Sequence, residues 1–153
     1  MAMLWNEYAT LSRGGAAAAA SAMAMYIRRR VAEDTLRQSY HSPGEWYRQG
    51  PLRPPAYASG NLARHMYARQ AHQGLRTTAI AGNDAEYSRI LEFGCVVTPL
   101  NTQQMHWRDT GGSWFHPYLV VPPHPYLEPT TDAAIRDGEL AEAAIDAFRP
   151  YDP

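Results

Sequence analysis

The chain contains no lysine. All fourteen basic residues among its 153 are arginine, whose planar fork suits bidentate contact with carboxylate or phosphate better than a compact ammonium does. Ala, Gly and Pro are abundant as well, the bias that GC-rich codons impose; it bears on the source genome and not on the fold. Cysteine is nearly missing. Cys95 stands alone, which excludes an internal disulfide framework and a cysteine-rich zinc site. No apolar run approaches the ~18 residues that suggest a transmembrane helix. Met1 to Thr10 has neither a basic start nor an apolar core, so no signal peptide is expected. These absences fit a cytoplasmic product, or one assembled in the cytoplasm. Hydrophobic residues make up 45%, enough for one ordinary domain with a core.

Patterns that carry chemistry are lacking too. The six histidines are His41, His65, His72, His106, His116 and His124, and none pairs at the i, i+4 spacing of a helical zinc motif. His65 and His72 are seven apart and could share a helical face. Ser59, Ser113 and Cys95 sit in no recognisable nucleophile motif. Cys95, between Gly94 and Val96-Val97, reads as a packed thiol. Thr110-Gly111-Gly112-Ser113 has neither the spacing nor the Lys of a phosphate loop and reads as a hairpin tip. The expectation is therefore no enzyme, no metal and no cofactor.

Net charge is −1, but the charge is segregated. Residues 1–82 hold ten Arg against four acids, a net +6; residues 83–153 hold four Arg against eleven acids, a net −7. Such halves can stack or ring head to tail through complementary faces, unless they interleave in the fold and cancel locally.

The patterning predicts an N-terminal arm over 1–13, then one α+β domain over 14–149, then a short tail over 150–153. A long helix is expected from the Ala-rich run after Gly14-Gly15 to about Ser39, with Met23, Ile27 and Val31 on one face. Residues 43–58, with Pro43, Pro51, Pro54, Pro55, Trp46, Tyr47 and Tyr57, read as an ordered loop. A short helix is expected over Asn61 to Ala71, capped by Ser59 and carrying Leu62, Met66 and the Arg69 stem. Leu75 to Ala81 alternates like a strand, and Gly82-Asn83-Asp84 reads as a turn. Tyr87 to Phe93 fits either a helix or a strand. Met105–Asp109 and Ser113–His116 read as a hairpin, and Tyr118–Val121 as a further strand. A last helix is expected over Thr131 to Phe148, capped by Thr130 or Thr131, with Leu140, Ala141, Ala144, Ile145 and Phe148 as its buried stripe. Helices at both ends around a small antiparallel sheet make an α+β fold.

Three segments in this order resemble a family. Ser59-Gly60-Asn61-Leu62 stands where a Thr-Gly-x-Leu motif is usual. Tyr87 to Gly94 matches a Tyr-Ala-x-x-x-Glu-Phe-Gly segment through Glu92, Phe93 and Gly94. Pro122 to Pro129 matches Pro-x-x-Pro-Phe-Leu-x-Pro through Pro125, Tyr126, Leu127 and Pro129, with Tyr for Phe. Together they resemble the neck and tail-completion proteins of long-tailed bacteriophages, over residues 59–148. The loop before Ser59 is longer than that pattern. The resemblance implies a structural virion protein in a sixfold ring around the DNA channel, assembled in the host cytoplasm. Its neighbours would be head-completion or connector proteins and tail-tube or terminator proteins. A tail terminator capping the tube is the alternative within the virion. A small nucleic-acid-binding regulator using the Arg-rich helix is the alternative of another class. By this reading Gly60 and Gly94 serve tight turns, and Phe93, Tyr126 and Leu127 anchor the sheet against the helices.

Arg28-Arg29-Arg30 and Arg37 are the candidate basic contacts, with Glu139, Glu142 and Asp146 as their acidic counterparts on the last helix. Three successive helical residues fan over roughly 200°. The triplet is thus either a solvated face with buried stems, or a contact with acidic subunit surfaces or with DNA phosphates read without sequence. Trp46, Tyr47, Trp107, Trp114, Phe115 and Tyr118 belong to the core or to an interface.

Overall fold

The computed structural model describes residues 2–36, 60–73, 76–109 and 112–151. Its architecture is α+β, with helices from both ends of the chain and antiparallel ladders between them in sequence. Helix α1 spans Ala2–Arg30. It runs through the segment expected as an arm and straight through Gly14-Gly15. Each glycine costs about 1 kcal/mol in a helix relative to Ala, yet both sit tightly against aromatic rings, Gly15 the more so. A Cβ on Gly15 would lie 2.6 Å from a ring carbon of Phe148, and one on Gly14 would lie 3.0 Å from the Tyr151 ring. The pair is a seat for the C-terminal elements, not a start signal.

The expected face of α1 holds: Ile27 and Val31 are buried and Met23 is half-buried. Beyond Arg30 the winding loosens into a π-helical segment, Val31–Leu36. In α-winding Leu36 would stand about 140° around from Val31. The i→i+5 pattern brings the two to one side, and both are buried. Arg37 and the proline- and aromatic-rich loop 43–58 lie outside the described residues.

The helix expected over Asn61 to Ala71 is a single turn, α2, Asn61–Arg64; the remainder is strand β1, Met66–Gln73. β1 pairs antiparallel with β2, Arg76–Asn83, setting Met66 opposite Asn83 and Gln73 opposite Arg76. The helical stripe was thin, and a branched, alternating partner strand satisfies eight residues of backbone at once, so pairing overrides the weak helical preference. β2 continues through Gly82 and Asn83, expected as turn. His65 and His72 therefore share no helical face. His65 sits in the turn after α2 with Nδ1 2.8 Å from Asp84, and His72 lies on β1 beside Thr77.

Tyr87 to Phe93 resolves as helix α3, Ser88–Phe93. Four short strands surround the next turns: β3 Cys95–Val97, β4 Met105–Asp109, β5 Gly112–His116 and β6 Leu119–Val121. β4 and β5 form the expected hairpin. β6 pairs with β3 and not with the hairpin, so the described residues hold three two-stranded ladders in place of one sheet.

The last helix is two: α4 Leu127–Arg136 and α5 Glu139–Phe148, parted by Gly138 at φ 79. Thr130 and Thr131 do not cap. They lie inside α4, and their hydroxyls donate to the carbonyls of Tyr126 and Leu127. A 3-10 turn, Arg149–Tyr151, carries Tyr151 back onto Gly14, so the chain stays packed past the expected end at 149.

The core gathers Ile27, Val31 and Leu36 from α1 and its extension with Leu62, Met66, Tyr126 and Ala134. α1 is its spine, flanked by the β1–β2 hairpin on one side and α5 on the other. Gln70 of β1 ties the hairpin to α1 by donating to the Ala17 carbonyl at 2.7 Å. No helix among the described residues is long and apolar enough to cross a membrane.

Candidate functional site: subunit contact surfaces

The three successive arginines are divided by their surroundings. Arg28 donates through Nε to the Met66 carbonyl at 3.0 Å, fixing its guanidinium over the junction of α2 and β1. Arg29 is exposed, with its guanidinium 5.5 Å from the Tyr26 ring centre. Arg30 turns inward: it pairs with Glu139 at the start of α5, lies 4.0 Å from Asp137 and donates to the Tyr26 hydroxyl. Arg30 and Glu139, expected on two sides of a subunit contact, thus meet within one chain. The basic and acidic halves cancel at this point because α5 packs along α1. Glu142 and Asp146 remain exposed, Asp146 in a surface pair with Arg149.

Arg28 and Arg29 line a groove of about 850 Å³ with Arg64 of α2. Its walls come from α1, the π-helical segment, α2 and α5. Ala22, Ala32, Ala63 and Ala143 keep it wide, Met25 and Tyr26 give it apolar surface, and Glu33 stands on it too. Arg64 pairs with no acid among the described residues. Sequence reading missed Arg64 because more than thirty residues separate it from the triplet.

The motif residues have a physical account. Gly60 adopts φ 69 ahead of α2, and Leu62 is buried. Gly94 also takes φ 69, and a Cβ there would meet the Val121 carbonyl oxygen at 2.8 Å and the Pro123 nitrogen at 2.9 Å. Glu92 caps a distant helix. Its carboxylate accepts the backbone N–H groups of Tyr126 and Leu127 through one oxygen, at 3.0 and 3.2 Å, and that of Glu128 through the other, at 3.0 Å. A helix start leaves four N–H groups without intrahelical acceptors. Here three go to Glu92, and the fourth position is Pro129, which has no N–H. Tyr126 is buried, and burial together with the Glu92 charge holds its phenol above the ordinary tyrosine range. Leu127 and Pro125 are half-buried. Phe93, expected as an anchor, is 69% exposed: α3 ends there, and the turn at Gly94 leaves its ring outside the core.

The largest departure from a self-sufficient domain lies between the two ends of this clamp. Residues 93–127 carry only Arg108 and Asp109 as charges. Their ladders, β3–β6 and β4–β5, pack substantially on no other element among the described residues. Val96 and Val120, cross-strand partners, are 62% and 57% exposed, and Phe115 is 59% exposed against His106. Tyr118 is exposed as well. In α5 the expected buried stripe is half-buried at Leu140, Ala144 and Phe148 and fails at Ala141 and at Ile145, which is 60% exposed. No cluster of three His, Cys, Asp or Glu close enough to hold a metal ion occurs among the described residues. No family model matches the chain, and neither does any curated protein or solved structure.

Proposed function

We propose that this chain is an assembly subunit of a tailed-phage neck, working by forming a ring and seating neighbouring rings while leaving a passage for DNA. The observation that carries the assembly reading is the pair of ladders within residues 93–127, which pack substantially on no other element among the described residues and leave Val96, Val120 and Phe115 exposed. A lone two-stranded ladder is marginal in water, and exposed apolar surface of this kind marks a contact site. A subunit that meets its partners only in a particle can leave such ladders bare until they are covered. The phage assignment rests on the ordered motifs at Gly60, Glu92-Phe93-Gly94 and Pro125-Tyr126-Leu127-x-Pro129. The capping geometry supports it, since it ties the second motif to the third physically. Closed rings need one heterologous contact whose rotation closes. Electron microscopy of phage particles labelled through this chain tests the reading. The expected image places it as a ring between head and tail; label absent from the particle, or a full chain that stays monomeric at every concentration, would overturn it.

A further inference from the structure

We propose that the arginine groove is the socket for the exposed face of α5 from a second copy of this chain. The proposal rests on the assembly reading and names the surface by which copies join.

The groove is lined by Arg28, Arg29 and Arg64 with one acid, Glu33, among alanines and Met25, so arginines outnumber the acid three to one. Arg28 is held in place by the Met66 carbonyl, so it meets an incoming acid already oriented. The small side chains in the lining let a helix approach closely. The face that complements this socket is on α5. Glu142 and Asp146 stand one turn apart and exposed, with exposed Ile145 next to Glu142 at i+3. Glu142, and Asp146 on exchanging its exposed surface pair with Arg149, answer the arginines, and Ile145 answers the apolar lining. That match also explains an apolar side chain that the chain's own core leaves in water.

A chain's own Ile145 cannot enter its socket. Ala143 lines the groove, and Ile145 stands roughly 160° away around the same helix at 100° per residue. The contact is therefore between copies and joins unlike surfaces, which yields a ring when the rotation closes. Glu139 is excluded from it by its bond to Arg30, so the groove's partners on α5 are Glu142 and Asp146.

Two double variants of the full chain test this: Arg29→Glu with Arg64→Glu, and Glu142→Arg with Asp146→Arg. None of these four side chains holds the core, and circular dichroism with thermal melting checks that each variant stays folded. By sedimentation, each alone is expected to assemble at least tenfold more weakly than the unaltered chain. Mixed together they are expected to form a one-to-one complex, because the first keeps an intact α5 face and the second an intact groove. Variants that assemble as well as the unaltered chain overturn the socket and leave the assembly reading standing. An unaltered chain that never assembles overturns both. Loss of salt-dependent duplex DNA binding in the arginine variant, with assembly unchanged, would assign the groove to phosphate instead.

Discussion

One carboxylate, that of Glu92, joins positions more than thirty residues apart and completes the hydrogen bonding at the start of α4. Glu92→Ala leaves three N–H groups to whatever water reaches them, and caps of this kind are worth ~1–2 kcal/mol. Urea denaturation should show a loss of that size, with Glu92→Gln intermediate because one oxygen still accepts. Beside it, the Tyr126 phenol is pushed up by burial and then by the Glu92 charge. The unfolded chain's phenol ionises near pH 10, while the folded one keeps its proton to higher pH. Above about pH 10 the unfolded state binds fewer protons, so stability present below that pH falls as pH rises. Tyr126→Phe should remove part of the decline, seen as a shallower fall of the urea midpoint between pH 9 and 11. Neither effect was legible from sequence alone. The motifs carry Glu92 and Tyr126, but only the fold brings them together.

At the scale of elements, α1 and the C-terminal helices depend on Gly14 and Gly15. Gly15→Ala gains helix propensity of about 1 kcal/mol but forces a methyl into the Phe148 ring, and overpacking typically costs ~1–3 kcal/mol. The melting temperature is therefore expected to fall, and adding Phe148→Leu should recover much of the loss, a coupling that a thermal double-mutant cycle measures. The same residues show why sequence reading placed this helix correctly and misjudged its start. Periodicity at Met23, Ile27 and Val31 is local and survives folding. The use of two glycines as a seat for Phe148 and Tyr151 depends on residues over 130 positions away. The single helix expected over 131–148 fails for a local reason: Gly138 takes a left-handed conformation that Asp137 and Gly138 N–H bonds back into α4 then close. The strand over residues 66–73 was hidden because its partner β2, and not its own sequence, decides its form.

At the scale of the whole molecule, apolar surface and charge among the described residues are sorted by place: a closed core along α1, an arginine groove with an acidic helix face elsewhere, and two ladders that expose apolar side chains and carry Arg108 and Asp109 as their charges. Sequence exposed the charge split but not its partial cancellation at Arg30 and Glu139, since linear order says nothing of which helices lie side by side. Exposed apolar residues were likewise invisible as surface: Ile145 reads as buried because apolar residues at helical spacing usually are, and nothing in the local sequence marks Val96 or Val120 as exposed. If the ladders are covered only on assembly, their amides in the free chain should exchange with solvent far faster than those of β1–β2, and slow when the ring forms; hydrogen exchange by mass spectrometry checks this. A paired substitution separates stability from contact. Val96→Glu with Val120→Lys places opposite charges directly across the β3–β6 ladder, which keeps the strands matched. Both side chains already face water, so the monomer's melting temperature should change little. The apolar face is nevertheless destroyed, and assembly measured by sedimentation or neighbour-ring binding should be lost. A variant that melts much lower than the unaltered chain would show instead that Val96 and Val120 hold the subunit itself together, and that the bare ladders belong to its own stability and not to its partners.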